Sequence, residues 1–292
     1  MRSFDYIESG KTLLTPHTTS LLAAIHEAKG RQSIQTTIRP DILGTLVAVA
    51  RIQSTDASNR IEGISTSDSR LNDLVSEKVT PRNRNEEEIA GYRDALSVIH
   101  ESHDYIPITP NVILQLHRDL FRHTPLTFAG HFKDSDNVII ERDAHGTSTV
   151  RFAPPSALVT PELIERACSA YTQAIRDGHT DPLLAIAMFI LDFTCIHPFN
   201  DGNGRMSRLL TLLMLYRNGY MVGKYISIEH LIEQSKRTYY EAMTASTQGW
   251  DDNANDYAPF TNYLLGIILS ACKEFDEASI SRQAAERREH RE

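Results

Sequence analysis

One stretch of twelve residues brings together a histidine, a carboxylate, two glycines and two arginines: His197-Pro198-Phe199-Asn200-Asp201-Gly202-Asn203-Gly204-Arg205-Met206-Ser207-Arg208. Gly202 and Gly204 permit backbone dihedrals closed to other residues and let a ligand approach the main chain. The run opens an apolar helix, whose first amides are unsatisfied and carry partial positive charge. That combination is an anion site. Arg205 and Arg208, spaced i, i+3, project from one face of the first turn. Cations at a helix N-terminus oppose the macrodipole unless an anion sits there, and two guanidiniums suit a polyphosphate. Asp201, beside phosphates, is a natural ligand for a hard cation such as Mg²⁺. His197 is placed to take a proton from an incoming hydroxyl, and Phe199 to pin the loop to the core. Singly, each residue has an ordinary explanation: a His before Pro is often a helix terminus, and Gly-Asn-Gly a plain connection. The whole set at these offsets is not explained that way.

The elements around the loop are helical. Apolar periodicity predicts helices over Leu21 to Lys29, Asp41 to Ser54, Glu86 to Glu101, Pro110 to Phe121, Pro161 to Asp177, Pro182 to Cys195, Arg205 to Arg217, Ile228 to Ala245 and Pro259 to Glu277. Thr109-Pro110, Thr160-Pro161 and Asp181-Pro182 each set a capping side chain before a proline, and Asn218-Gly219 is a stop signal. One region departs from helical spacing. Asn137 to Ile140 and Thr149 to Phe152 are β-prone runs around the polar turn Glu141 to Ser148, which reads as a hairpin. A lone hairpin on a helical body is either a flap over a site or an exposed loop. The polar connector Thr80 to Glu88 marks a boundary between a helical segment, residues 1–85, and a core domain, residues 86–225. Residues 226–292 then supply C-terminal helices, with a charged tail after Ser279 expected to fray.

The 292 residues carry 41% hydrophobic and 23% charged side chains and a net charge of −8, an ordinary globular balance. An acidic chain lacks the basic face of a general nucleic-acid binder, so no DNA partner is expected. Cys168, Cys195 and Cys272 fit no metal spacing or disulfide framework, and Cys195 reads as a small buried hydrophobe. The first residues hold no apolar signal core, and the apolar stretch Leu183 to Ile196 is interrupted by Asp192 and too short for a bilayer. A soluble, cytoplasmic protein without a membrane partner is expected. His117, His123, His131 and His145 match no metal site and are expected on the surface or in packing roles. Trp250, with Asp251 and Asp252 beside it, reads as a capped turn before the last helix.

From His197 to Arg208 the sequence resembles the Fic (Fic/Doc) family, whose motif is H-x-F-x-[DE]-G-N-G-R-x-x-R; every fixed position is met. The landmarks EIAGYRDALSVI (Glu88 to Ile99), LHRDL (Leu116 to Leu120), Gly130-His131-Phe132-Lys133, Phe152-Ala153-Pro154-Pro155 and Tyr239-Tyr240-Glu241-Ala242-Met243 follow in the family's order. The resemblance implies an all-α Fic fold, a helical bundle with a small β-hairpin flap over the active site. It implies a protein adenylyltransferase, with ATP as substrate and Mg²⁺ held by Asp201. His197 would deprotonate a Tyr, Thr or Ser hydroxyl of a target protein. Gly202, Asn203 and Gly204 would cradle the phosphates, and Arg205 and Arg208 would neutralise the leaving group. Val138, Ile139 and Ile140 would align the target by strand addition, and Tyr240 and Met243 would line the adenine pocket. Two positions depart from the usual pattern: Lys133 stands where the family often has Arg, and Met243 where it often has Leu. Thr247 would be the next polar contact to adenine.

Ser58-Asn59-Arg60-Ile61-Glu62-Gly63 matches the family's inhibitory pattern [ST]-x-x-x-E-[GN] and lies upstream of the motif, as in the group with an N-terminal inhibitory helix. Glu62 would pair with Arg208 through two charge-assisted hydrogen bonds and so withdraw it from the γ-phosphate. The alternatives are a deAMPylating enzyme or a catalytically quiet nucleotide-sensing regulator. The target protein is open; the resemblance leaves room for self-modification and a homodimer. The stretch after Glu277 leaves no room for a DNA-binding winged helix.

Overall fold

The residues from Leu183 to Ile196 are apolar on nearly every face, and such a helix has to be surrounded by others. The computed structural model describes the backbone of residues 2–38, 40–142 and 148–289, and the side chains of residues 2–34, 43–139 and 152–279. Along this backbone run α1 (Tyr6–Thr12), α2 (Pro16–Ile38), α3 (Pro40–Ile61), α4 (Asp68–Val75), α5 (Arg84–Ser102), α6 (Pro110–Leu120), α7 (Thr160–Asp177), α8 (Pro182–Ile196), α9 (Asn203–Arg217), α10 (Ile228–Gln234), α11 (Lys236–Thr247) and α12 (Ala258–Glu289). The architecture is helical, as expected. Between α6 and α7, β1 (Ile139–Arg142) and β2 (Ser148–Phe152) pair antiparallel, with Ile140 opposite Val150 and an irregularity between Ile139 and Ile140. The centre of the expected turn, with His145 in it, and the Ile140 side chain lie outside the described residues.

Helix α8 buries every side chain from Leu183 to Ile196 except Thr194. It packs against α7, α9 and α12; α9 lies on α5, and α3 on α5 and α10. One large core runs from Tyr6 to Phe275, so residues before 86 and after 225 share it with the residues between. Leu71, Leu74, Val75 and Ile89 form a small satellite beneath α4. The three cysteines are buried. Among the described residues no helix is long and apolar enough to cross a membrane.

Several elements differ from the sequence expectation for local reasons. Helices α1 and α4 have only 7 and 8 residues, too few turns for periodicity to register. Helices α2 and α3 run past their expected ends, so Ser58 and Ile61 lie in the last turn of α3. The segment over Ile228 to Ala245 breaks at Ser235, whose hydroxyl donates to the Leu231 carbonyl (2.7 Å) and meets the Tyr263 hydroxyl (2.8 Å). Thr109 and Asp181 cap α6 and α8 as expected. Thr160 does not cap α7: Val159 holds the cap position, and the Thr160 hydroxyl bonds Ser156 O at 2.9 Å. The last helix continues through Glu289.

Asp192, which interrupts the apolar run, is fully buried. It accepts from Arg2 Nη2 (3.0 Å), Tyr6 Oη (2.8 Å), Trp250 Nε1 (2.6 Å) and Tyr257 Oη (2.8 Å). The carboxylate therefore ties the N-terminal residues, α8 and the start of α12 together. Burial raises its pKa, and the Arg2 charge and the three neutral donors oppose that. Removing one partner of a buried pair leaves the other charge unpaired, which costs about 3–5 kcal/mol. Asp192→Ala is therefore expected to lower the melting temperature by about 10 °C, from about 2–4 °C per kcal/mol in a domain of this size. Arg2→Met combined with Asp192→Leu is expected to recover much of that loss; calorimetry of the three proteins checks both statements.

Candidate active site

Helix α8 ends because His197 takes a left-handed conformation (φ 49°, ψ 61°), its amide bonding back to Phe193 O at 3.0 Å. That geometry is uncommon for a residue with a Cβ and persists only where the surroundings over-determine it. Six residues later α9 opens from Gly202, at φ 81°, where a Cβ would stand 2.8 Å from the Phe121 ring. The loop between is held from inside. Asn203 Oδ1 accepts from Phe199 N (2.9 Å) and its Nδ2 donates to Phe199 O (2.8 Å). Asn203, expected to cradle phosphate, thus shapes the loop with its side chain. Phe199 is fully buried and stacks on His117, with centroids 3.7 Å apart and planes 1° apart.

His117 is the pin beneath this loop. Its Nδ1 accepts from Gly130 N (2.9 Å), so the neutral tautomer carries its proton on Nε2, which faces Asp201 O at 3.0 Å. Burial, with smaller contributions from Arg205 and His131, pulls its pKa down to about 4, against the bond to Asp201 O. The packing role expected for His117 is what the structure shows; His123 instead pairs with Asp94 at 2.7 Å.

The two arginines have different surroundings. Arg205, 1% exposed, donates from Nη1 to Glu88 Oε2 (2.6 Å), and its guanidinium lies 5.0 Å from the Phe121 ring centre. Glu88 Oε1 accepts from Arg84 Nε (2.7 Å), and Arg84 Nη2 reaches Asp201 Oδ2 at 3.4 Å. Arg205 thus spans the buried Glu88 and the partly open Asp201, whose Oδ1 lies 3.5 Å from its Nη2. The carboxylate that holds it, Glu88, was a sequence landmark with no role assigned; its burial is a tertiary property. Asp201 itself stays partly open, its Oδ1 accepting from Gly202 N at 2.6 Å.

Arg208 donates from Nε to Ser58 Oγ (2.8 Å) and from Nη2 to Ser58 O (2.9 Å) and Glu62 Oε1 (2.7 Å). The expected Glu62–Arg208 pair is present, through one bond instead of two; Ser58 accepts from Nε and from the other Nη2 hydrogen. A Cβ on Gly204 would lie 2.1 Å from Glu62 Oε1, so the carboxylate rests against the bare start of α9. Burial pushes the Glu62 carboxyl up, and the charge and hydrogen bond of Arg208, helped by Arg205 and Lys236, more than offset it: its pKa lies below the ordinary value. Lys236 also donates to Ile61 O at 2.9 Å, fastening the end of α3 to α11.

Further along α11, Tyr240 is half-buried beside Tyr239, whereas Met243 is 1% exposed and belongs to the core. Thr247 is buried. In the ribbon, Val138 is exposed and Ile139 half-buried. Lys133 is buried just before it; burial pulls its ammonium down to about 8.

Residues 107–215 match the model of the Fic/DOC family. A Fido domain-containing protein of Dictyostelium discoideum is 37% identical over 90 residues, 30% of this chain and 58% of that protein. Protein adenylyltransferase fic-1 of Caenorhabditis elegans is 26% identical over 207 residues, 68% of this chain and 34% of that protein. Protein adenylyltransferase Fic of Nematostella vectensis is 24% identical, over 71% of this chain and 44% of that protein. The chain thus spans about a third to under two thirds of the length of these relatives. A Fic family protein from Desulfovibrio desulfuricans superposes with a TM-score of 0.75 at 24% identity, over 90% of this chain and 75% of that one. A Fic domain-containing signalling protein from Bacteroides thetaiotaomicron gives 0.74 at 22%, over 88% and 97%. Residues 107–215 thus form a Fic/DOC family domain.

Two outcomes are expected. Gly204→Ala should displace the Glu62 carboxylate and cost about 1 kcal/mol through the lost pair, and cost less once Glu62→Gly has removed the carboxylate. A double-mutant cycle by urea unfolding measures that difference. His117 stays neutral when folded down to about pH 4, while its unfolded counterpart protonates near pH 6.5, so its share of stability is lost as pH falls between those values. From pH 6.5 to 5 the loss should reach about 2 kcal/mol, and His117→Asn should show less of it in unfolding curves at the two pH values.

Proposed function

We propose that this chain is a protein adenylyltransferase that moves AMP from ATP to a Tyr, Thr or Ser hydroxyl of a protein and is restrained by its own Glu62. The observation that carries the reading is the seat of the Glu62 carboxylate: it lies where a Gly204 Cβ would be and 2.7 Å from Arg208, so an internal anion already occupies the start of α9. A site that holds one anion among free helix amides and a buried guanidinium suits the phosphates of a nucleotide. Similarity to relatives named adenylyltransferases supports the same chemistry.

In this reaction the hydroxyl oxygen attacks the α-phosphorus and forms the new P–O bond. The bond between the α-phosphorus and the bridging oxygen breaks, and pyrophosphate departs with the electron pair. His197 takes the hydroxyl proton. Arg208 offsets charge on the departing phosphates, and the backbone of Gly202 to Gly204 supplies amides to them. Arg205, paired with Glu88, supports the loop from behind. Val138, Ile139 and Ile140 dock the target by strand addition, and Tyr240 lies on the helix that borders the adenine, with Met243 backing it from the core.

Asp201 fits a single-carboxylate site for Mg²⁺: its side chain is 43% exposed, and among the described residues no three acidic, His or Cys side chains converge on one point. When bound, the ion would neutralise phosphate charge.

While Glu62 holds Arg208, a nucleotide has no cation for its terminal phosphate and lies poorly for in-line attack. The Glu62 side chain is 32% exposed, so it could also place a water; removal of AMP, or quiet nucleotide sensing, is the second reading.

Incubation with Mg²⁺ and α-labelled ATP tests the proposal in the wild type, in Glu62→Gly, and in Glu62→Gly with His197→Ala. Label on protein at least tenfold above wild type in Glu62→Gly alone is the expected result. No label in any form, with ATP binding confirmed, would turn the assignment toward the second reading.

A further inference from the structure

The five residues Lys133 to Asn137, between Gly130 and β1, do more than lead into the ribbon. Lys133 N–H donates to Pro198 O at 2.8 Å, and its Nζ donates to Ile196 O (3.2 Å) and Asn137 Oδ1 (2.9 Å). Asn137 Nδ2 donates to Phe199 O (3.2 Å) and, at longer range, to His197 O (3.5 Å). The carbonyls of residues 196, 197, 198 and 199 therefore each face a donor from this short segment. Asp134 Oδ1 adds an accepted bond from Asn200 Nδ2 at 3.2 Å.

The physical demand for these donors is plain. The last carbonyls of a helix have no partner within it, and α8 ends in the interior, away from water. His197 adds a left-handed backbone at the same point, which costs about 1–2 kcal/mol for a residue with a Cβ. Lys133 is 3% exposed, so its ammonium faces these carbonyls and not a ligand. Asn137 spans the two ends of the turn and also gives the ammonium an acceptor.

We propose that Lys133 and Asn137 are positioning residues for His197, which set the direction of its imidazole by holding the four carbonyls around it. This rests on the reading of His197 as the base. Because Asn137 lies two residues before Ile139, the ribbon and the His197 backbone form one hydrogen-bonded unit. A target segment docked on the ribbon and the group that deprotonates it are thereby held in register by the same two side chains. An arginine at 133 keeps the donors and the charge, so Lys133→Arg should preserve the arrangement, whereas Lys133→Met keeps only the apolar stem.

The test uses the full chain in the Glu62→Gly background, with histidine rings labelled for NMR and the His197 signal assigned by its loss in His197→Ala. Lys133→Met and Asn137→Leu are expected to move the His197 ring resonance while leaving those of His123 and His131 in place, and Lys133→Arg to return it. In transfer assays with α-labelled ATP, kcat should fall on the order of 10²-fold in both variants, with the ATP KM within twofold of the parent. Should Lys133→Met fail to fold, Asn137→Leu carries the test alone. An unmoved His197 resonance with a full kcat in a folded variant overturns the proposal. Transfer that survives His197→Ala overturns the base assignment instead, and the ring resonance still reports on positioning.

Discussion

The chain has to leave one wholly buried helix and begin another within six residues, and nearly everything at the site follows from that constraint. Most backbone polar groups of the turn between α8 and α9 face the interior, so the protein serves them itself. Asn203 closes the turn on Phe199, His117 reaches Asp201 O from below, and Lys133 and Asn137 meet the carbonyls on either side of His197. Left-handed backbone at both ends, at His197 and Gly202, makes the reversal short enough. The consequence is chemical. The amides that open α9 and the residue that closes α8, His197, are joined by one short turn tied down at both ends.

Charge is distributed under the same constraint. Among the described residues four guanidiniums lie in the interior, and each has a carboxylate: Arg2 with Asp192, Arg93 with Asp94, Arg205 with Glu88, Arg208 with Glu62. The acids differ in burial. Asp192 and Glu88 are 0% and 3% exposed, whereas Glu62 is 32% exposed. Taking away Asp192 strands the Arg2 charge, whereas Arg205 without Glu88 would still have Asp201 Oδ1 at 3.5 Å. At Arg208 the acid is instead seated where a Gly204 Cβ would be, against the start of α9. The same kind of interaction is therefore closed off at Asp192 and Glu88 and partly open at Glu62.

The helices that frame the site were legible because their signals are local. Thr109 and Asp181 cap α6 and α8, and Asn218-Gly219 ends α9, through bonds that span a few residues. The hairpin runs were legible from β-prone residues on either side of a polar turn. What escaped was set by distant partners or short length. Ser235 splits a continuous helical pattern because its hydroxyl has Tyr263 across the fold to meet. Helix α4 is amphipathic yet spans only two turns.

At the site, the sequence by itself determined the loop: its glycines, its histidine and acid, and the apolar helices on both sides, all within one continuous stretch whose local geometry needs no outside reference. It also placed Glu62 as the partner of Arg208, through the resemblance. Only the tertiary structure decided which partners each arginine meets. Arg205 and Arg208 are equivalent by type and spacing, and both sit on one turn of α9. Their roles diverge because α5 brings Glu88 against the first from 117 positions away, and α3 brings Ser58 and Glu62 against the second from 150 and 146. Helical periodicity describes the direction in which a side chain leaves its own helix; which charge it meets there depends on how other helices pack.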